Sequence, residues 1–484
     1  MKKIFYIFIA SLLFTNYLTA QNEVDALRYS QNFYGGTARS VSMGSAFGAL
    51  GGDFSCLSTN PAGIAIYRKA ELTFTPSIHY AINKSGYLGN EFSDYKYNFN
   101  FNNIGLVAVF NSGEEKGWVN LNIGFGYNKL NNFNRNIVLK GVNNYNSMTD
   151  YFALRANGQS PHQLYFSDDY FIEGYAWDAY LIDSDTSINN KYQSAFNKYG
   201  ETQRKSIKND GSLGEYLFSM GANYSHKFYL GGTIGIQNVN FEENSVYKEL
   251  DEDSIINYFN SFTYNQKIKT SGSGFNFKIG TIFRPVDWIR FGVAIHTPTL
   301  LVLKDEYNYK LESDLDDFSY SHDTIINKKY ELSTPLRAMG SLAFIIKKVA
   351  LISVDYELVD YSSARLRAEE NDYDFYDENN NIQLNYTAAS NIRAGAEYRF
   401  ENFALRGGYS IYGNPFNTSN IDINSTRTSI SGGFGIREEN FFFDLAFVHS
   451  TSKEKYYLYN LVNIEPANIT SSTNQILATF GFKF

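Results

Sequence analysis

A single cysteine, Cys56, in a chain of 484 residues excludes an intramolecular disulfide framework and any metal site built from several thiolates. Eight prolines are too few for a proline-rich disordered chain. Basic residues are outnumbered 42 to 50, and the net charge of −8 leaves no cationic footprint for nucleic acid; no nucleic-acid partner is expected. Nothing after residue 20 is a long enough apolar run for a membrane-spanning helix. Mean hydropathy is −0.33 although 43% of the residues are hydrophobic and 17% aromatic. The apolar residues are therefore diluted by polar ones rather than gathered into blocks. The aromatics, dominated by 39 Tyr and 40 Phe, favour strands.

The N-terminus sets the compartment. Lys2 and Lys3 precede an apolar run from Ile4 to Phe14, and a polar stretch ends in Ala20 before Gln21. Basic start, short apolar middle and small residue before a break read as a secretory signal peptide over 1–20. The run is shorter than the about 20 residues a spanning helix needs. An exported chain is expected.

What recurs beyond it is alternation with period two, the mark of strands with two chemically different faces. Val119, Leu121, Ile123, Phe125 and Tyr127 alternate with Asn120, Asn122, Gly124, Gly126 and Asn128. Phe275, Phe277, Ile279 and Phe283 alternate with Asn276, Lys278 and Gly280, and Ile476, Ala478, Phe480, Phe482 and Phe484 share one face at the end. A soluble sandwich also alternates, but these segments outrun the usual strand length, and the aromatic richness suits girdles at two membrane interfaces. Longer polar loops are expected near 83–95, 133–212, 250–258, 304–332, 368–381, 413–425 and 457–470. Tight turns are expected at 111–117, 225–229, 285–287, 347–348, 400–402 and 437–440. Seven loops and six turns join fourteen strands. The expected fold is all-β, a membrane-spanning antiparallel up-and-down barrel over 70–484 with both termini on the periplasmic side. Such a barrel lies in the bacterial outer membrane among its lipids, and the terminal Phe484 is expected to be read by the barrel-assembly machinery.

A lumen of this size must be lined or plugged. Residues 21–69 precede the first strand, carry Gly35, Gly36, Gly44, Gly48, Gly51 and Gly52, and lack long alternation. They are the candidate N-terminal hatch inside the lumen, the other reading being a periplasmic tail. The stretch from Ala38 to Phe47, then Asp53, then Ser58-Thr59-Asn60-Pro61-Ala62-Gly63 resembles the N-terminal signature of the FadL/TodX outer-membrane transporters. Asn-Pro alone marks only a turn; between a signal peptide and a first barrel strand it is far more specific. Gly274 to Asn276, Arg284 to Gly292, Thr334 to Arg337, Asp355 to Glu357, Arg393 to Tyr398 and Leu405 to Tyr409 extend the likeness over most of the mature chain. The segment 133–212 is the main departure. The resemblance implies a fourteen-stranded barrel with a hatch that passes hydrophobic small molecules, such as long-chain fatty acids, by diffusion without an energy-coupling partner. Asn60, Pro61, Ala62 and Gly63 inherit the hatch role, while substrate identity does not carry over.

Lipid-facing charge costs about 2–4 kcal/mol at mid-membrane, so charged strand residues should face the lumen. This applies to Lys278, Arg284, Arg290, Arg393, Arg399, Arg406, Asp355, Glu357, Glu397 and Asp444. Lys278, Arg393 and Arg406 lie deepest and are the candidates for holding an acidic headgroup; the alternative is that they pair with the carboxylates to hold the hatch. Within 133–212, Phe171, Tyr175, Trp177, Tyr180 and Leu181 cluster at or near helical spacing. They form either an external apolar catching surface or packing against the barrel mouth. The six histidines show no metal-ligand spacing and no serine sits in a nucleophile elbow, so no metal, cofactor or catalytic residue is expected and the chain reads as a non-enzyme. His296 could face the lumen, where haem ligation is the sharp reading and a polar lumen residue the plain one. For Asp314, Asp316, Asp317, Asp372, Asp374, Asp377 and Glu378, calcium bound through oxygen ligands is the sharp reading and solvated loop charge the plain one. A hydrophobic-compound channel, a general porin and a surface-binding barrel that captures a ligand without transport are the three competing functions; the hatch sequence favours the first.

Overall fold

The computed structural model describes residues 23–166, 170–185, 188–196, 198–347, 349–368, 374–419, 423–460 and 464–484; the expected signal peptide lies outside them. Eighteen strand segments form one sheet. Four of them continue a neighbouring segment in line, which leaves fourteen staves. In chain order these are β1 (Glu71–Tyr87), β2 (Asn90–Asn111), β3 (Trp118–Asn132 continued by Arg135–Val142), β4 (Thr202–Tyr224), β5 (Phe228–Leu250), β6 (Phe259–Val286) and β7 (Ile289–His296 continued by Leu300–Leu315). There follow β8 (Phe318–Ser333 continued by Arg337–Ile346), β9 (Ala350–Asp360 continued by Arg365–Ala368), β10 (Ala388–Phe400), β11 (Phe403–Tyr412), β12 (Arg427–Arg437), β13 (Phe441–Tyr456) and β14 (Ala467–Lys483). Every pairing is antiparallel, and β14 returns to β1 in a register that sets Glu71 opposite Lys483. The wall is closed, so no sheet edge is left at the seam.

The alternation resolves into the two faces of this wall. Ile279 on β6 is 68% exposed on the outside, while its neighbour Lys278 is 4% exposed inside. Leu121, Ile123 and Phe125 likewise face out, and Asn120, Asn122 and Asn128 face in. No helix among the described residues is long and apolar enough to cross a membrane.

The tight turns fall where the sequence places them, but two of the long loops do not exist. Residues 83–95 and 304–332 are mostly strand: β1 and β2 are joined by Leu88 and Gly89, and β7 and β8 by Asp316 and Asp317. Polar residues there alternate on a ladder that continues above the apolar belt, and solvated hairpins need no apolar face to form backbone pairs. The excursion over 133–212 is also shorter, because Arg135–Val142 pairs with Thr202–Asn209. What remains between them carries α3 (Met148–Ala156), α4 (Pro161–Phe166), α5 (Phe171–Asp178) and a two-stranded sheet, Ile182–Ser184 with Tyr192–Ser194. These elements bury Met148, Phe152, Ala176 and Leu181 over the barrel mouth as a cap.

Breaks in the staves have local causes. Pro298 interrupts β7 and Pro335 interrupts β8 on the adjacent stave, each lacking the N–H a ladder needs. Thr334 and Thr299 stitch the two breaks: the Thr334 N–H donates to the Thr299 carbonyl at 3.0 Å and the Thr299 N–H to the Thr334 hydroxyl at 2.9 Å. The bend in β3 is larger. β2 pairs with β3 only from Asn103 to Asn111, while the Asn83 amide of β1 donates inward to the Asn136 carbonyl at 2.7 Å. The upper part of β3 thus runs beneath the inner face of β1.

Candidate functional site

The N-terminal segment fills the lower lumen. It comprises helices α1 (Glu23–Ser30) and α2 (Ala38–Ser42) and the 3₁₀ turns Phe54–Ser58 and Pro61–Ile66. Short polar caps shape it: Asp53 accepts from the Ser55 N–H at 3.0 Å, and Asn60 accepts from the Ala62 N–H at 3.1 Å, with Pro61 opening the turn where a missing N–H costs nothing. The Asn60 amide also donates to the Gly48 carbonyl at 2.7 Å and across to the Thr281 carbonyl of β6 at 3.1 Å. Asn60 therefore ties its own turn, a second loop of the segment and the barrel wall.

Glycines on the wall make room for this contact. A Cβ on Gly280 would lie 1.9 Å from the Asn60 Oδ1, and one on Gly231 would lie 2.3 Å from the Pro61 carbonyl oxygen. Inside the segment, a Cβ on Gly63 would meet the Cys56 sulfur at 2.4 Å, and burial pushes that thiol well above its ordinary range. Cys56 is a packing residue here.

Ion pairs complete the seat. Arg39 of α2 reaches Glu397 of β10 at 3.0 Å, and Glu397 also takes Arg406 at 2.6 Å. Arg406 continues to Asp444 at 2.8 Å. Arg393 lies 3.2 Å from Glu357, with the Tyr34 ring over its guanidinium, and the Asp355 carboxylate accepts from the Gly48 N–H at 3.0 Å. Lys278 pairs with Glu215. Of the cations named from the sequence, Lys278, Arg393 and Arg406 all face the lumen and are buried; each already has a carboxylate against it. His296 is occupied as well, its Nε2 lying 2.7 Å from the Thr59 carbonyl oxygen.

Above the segment lies a cavity of 1090 Å³. Its walls come from α1, the strand faces, the β3 bend and the cap. Phe152, Phe171, Tyr264 and Tyr309 supply an aromatic side, with the Tyr264 and Tyr309 rings stacked. Of the capture candidates, Phe171 packs on Tyr309, Tyr175 on His322 and Trp177 on Tyr192. Leu181 is buried and Tyr180 remains exposed. The group is therefore mostly built into the cap, and Phe171 alone of the five lines the cavity. Sequence reading missed His79, Lys129 and Arg427, which also line it. His79 was overlooked although its strand alternates, with Leu72, Phe74 and Ile78 out and Thr73, Thr75, Ser77 and His79 in; Arg427 opens a strand without strong alternation, and Lys129 stands just past the clearest alternating run, beside a register shift in β3.

No family model matches the chain, and no curated protein matches it. Solved structures do. A FadL homologue from Pseudomonas aeruginosa is 13% identical, with a TM-score of 0.56 over 94% of this chain and 100% of that one. The Pseudomonas putida toluene transporter TodX is 11% identical, with a TM-score of 0.53 over 94% and 100%. CymD, described as a monoaromatic hydrocarbon channel, is 12% identical, with a TM-score of 0.51 over 94% and 99%. At these identities the likeness is one of fold. It agrees, at the level of fold, with the resemblance carried by Asn60 to Gly63. The three are named as channels, transporters or their homologue, and none as an enzyme.

Proposed function

We propose that this chain is a bacterial outer-membrane channel that passes hydrophobic small molecules, long-chain fatty acids in particular, around an N-terminal hatch. The observation that carries this reading is the closed barrel holding a 1090 Å³ cavity directly above a segment seated by Asn60, Gly280 and the Glu397 cluster. That volume is just above the roughly 300–1,000 Å³ common for small-molecule sites, and its aromatic side suits an apolar guest. A general porin needs an open polar lumen, whereas here the lower lumen is filled. A purely surface-binding barrel has less support, because most of the cap's aromatic side chains pack inward. Residues 1–20 act in this reading as the export signal, and Phe484 as the handle for barrel assembly.

Uptake of labelled oleate and of toluene by cells producing the chain, set against cells with an empty vector, tests the proposal. Faster oleate uptake with low ion conductance in planar bilayers is expected. Uptake equal to the control, or the large steady conductance of an open pore, would sink it; faster toluene uptake alone would move the substrate to aromatic hydrocarbons.

A further inference from the structure

The two sides of the cavity differ in chemistry. Phe152, Phe171, Tyr264 and Tyr309 line one side, with Tyr264 on β6 and Tyr309 on β7. On the far side of the barrel, β11 to β14 turn hydroxyls inward instead. Ser410 stands opposite Ser429, Ser429 opposite Ser450 and Ser450 opposite Thr473, so one rung of the wall carries a hydroxyl on each of these four staves. One rung further up, Ser452 stands opposite Ser471, and Ser471 opposite Asn83 of β1. All of these residues line the cavity. Neighbouring strands are about 4.8 Å apart, which makes the lower row roughly 14 Å long.

The rows are neutral and keep hydrogen-bonding capacity to spare. A hydroxyl offers one donor and two acceptor sites. The Ser429 and Ser450 hydroxyls lie 2.8 Å apart, and the Ser471 hydroxyl donates to the Asn83 side-chain oxygen at 2.6 Å; these contacts use only part of what the rows offer. Near the β3 bend, the side-chain nitrogen of Asn132 and the side-chain oxygen of Asn209 belong to residues that line the cavity. Both atoms are buried with no hydrogen-bond partner among the described residues. Polar atoms buried without partners cost free energy, and a guest that is hydrocarbon throughout leaves this whole side unmatched.

We propose that the cavity takes long-chain amphiphiles with a neutral polyhydroxyl head, acyl esters of glycerol or of a sugar, the head spread along the hydroxyl rows and the chain along the aromatic side. This rests on the transport reading and names a substrate class for the same cavity. The hydroxyls of a polyol both donate and accept, so each can bond a wall hydroxyl in either sense. They also match the orphaned amide atoms of Asn132 and Asn209, one a donor and the other an acceptor. A plain hydrocarbon or a methyl ester brings no donor at all.

The test is calorimetric titration of the full chain, in amine-oxide micelles whose heads carry no hydroxyl, with monooleoylglycerol and with methyl oleate, which share the acyl chain. Wild type should bind the glycerol ester about tenfold more tightly, as two hydrogen bonds between neutral groups give. Ser410→Ala, Ser429→Ala and Ser450→Ala together should bring that ratio to about one and leave the affinity for methyl oleate unchanged. Ser429 and Ser450 are replaced as a pair, so neither is left facing a lost partner. Each single substitution should remove part of the ratio, which keeps the test readable if the triple variant does not fold. Equal binding of the two esters by wild type, or a ratio that survives the substitutions, overturns the polyol site and leaves the transport reading intact. Failure of wild type to bind either ester, and oleate as well, overturns both.

Discussion

The Lys96 ammonium of β2 lies 2.6 Å from the Asp210 carboxylate of β4, although β3 stands between these staves in chain order. It also donates to the Asn209 carbonyl at 2.9 Å. This reach is possible because the upper part of β3 has bent inward with β4, leaving Asn90–Asn102 of β2 paired only to β1. Gly211 allows the bend, with φ of +120° and the Asn240 carbonyl 2.1 Å from where its Cβ would be.

Because Asp210 is half exposed, the pair should add little to stability. A double-mutant cycle with Lys96→Ala and Asp210→Ala, read by chemical denaturation, should return a coupling of about 0.5 kcal/mol. A coupling several times larger would mean that the bend itself depends on this contact.

Asn60 makes three side-chain hydrogen bonds in the lower lumen, to Gly48, Thr281 and Ala62. Asn60→Ala removes three hydrogen bonds and should weaken seating of the N-terminal segment by roughly 2–4 kcal/mol. Gly280→Ala should act similarly from the wall side, by overlap with the Asn60 amide. Hydrogen exchange should show residues 54–66 losing protection while the strands keep theirs; equal loss in both would place the damage in the barrel.

Glu397 holds three guanidinium groups, those of Arg39, Arg399 and Arg406. Glu397→Gln leaves buried charge uncompensated and should cost about 3–5 kcal/mol. Denaturant unfolding of the purified variant measures this, and a cost below about 1 kcal/mol would show that Asp444 takes up the released arginines.

The cap should respond to alkali. Glu201 is almost wholly buried, and burial, reinforced by the Glu249 carboxylate, pushes its carboxyl up to about 9. A folded-state value above the unfolded one means that this group's stabilising contribution is complete in acid and is lost as pH rises through about 9. Trp177 fluorescence, isolated by replacing Trp118 and Trp288, should therefore report loosening of the cap across that range. In Glu201→Gln the transition should vanish; its persistence would assign it elsewhere.

Much of the wall could be read from the chain because its information is local. Asn276, Lys278 and Gly280 interleaved with Phe275, Phe277 and Ile279 fix which face each side chain takes, since a strand reverses face at every residue. The turn at 112–117 and the one at 225–227 follow from the same pattern breaking off. Loops 83–95 and 304–332 are strand instead, because polar alternation above the apolar belt looks like loop when hydrophobicity is the guide. The candidate site was legible only in part. Asn60 announced itself through its neighbours Pro61 and Gly63, and the inward direction of Arg393 and Arg406 followed from the cost of charge in lipid.

By itself, then, the amino-acid order determined a closed antiparallel barrel of fourteen strands with polar inner faces and a glycine-rich segment to occupy its lumen, because period, charge and turn residues act over a few positions. Which cations meet carboxylates and which face the cavity was decided only by tertiary structure. Arg406 and Arg427 are both inward arginines on the paired strands β11 and β12, yet one lies against Glu397 and Asp444 while the other lies against Phe33. That difference depends on the stagger of neighbouring staves, the bend of β3 and the path of the N-terminal segment, which bring together residues hundreds of positions apart, and no short-range pattern encodes it.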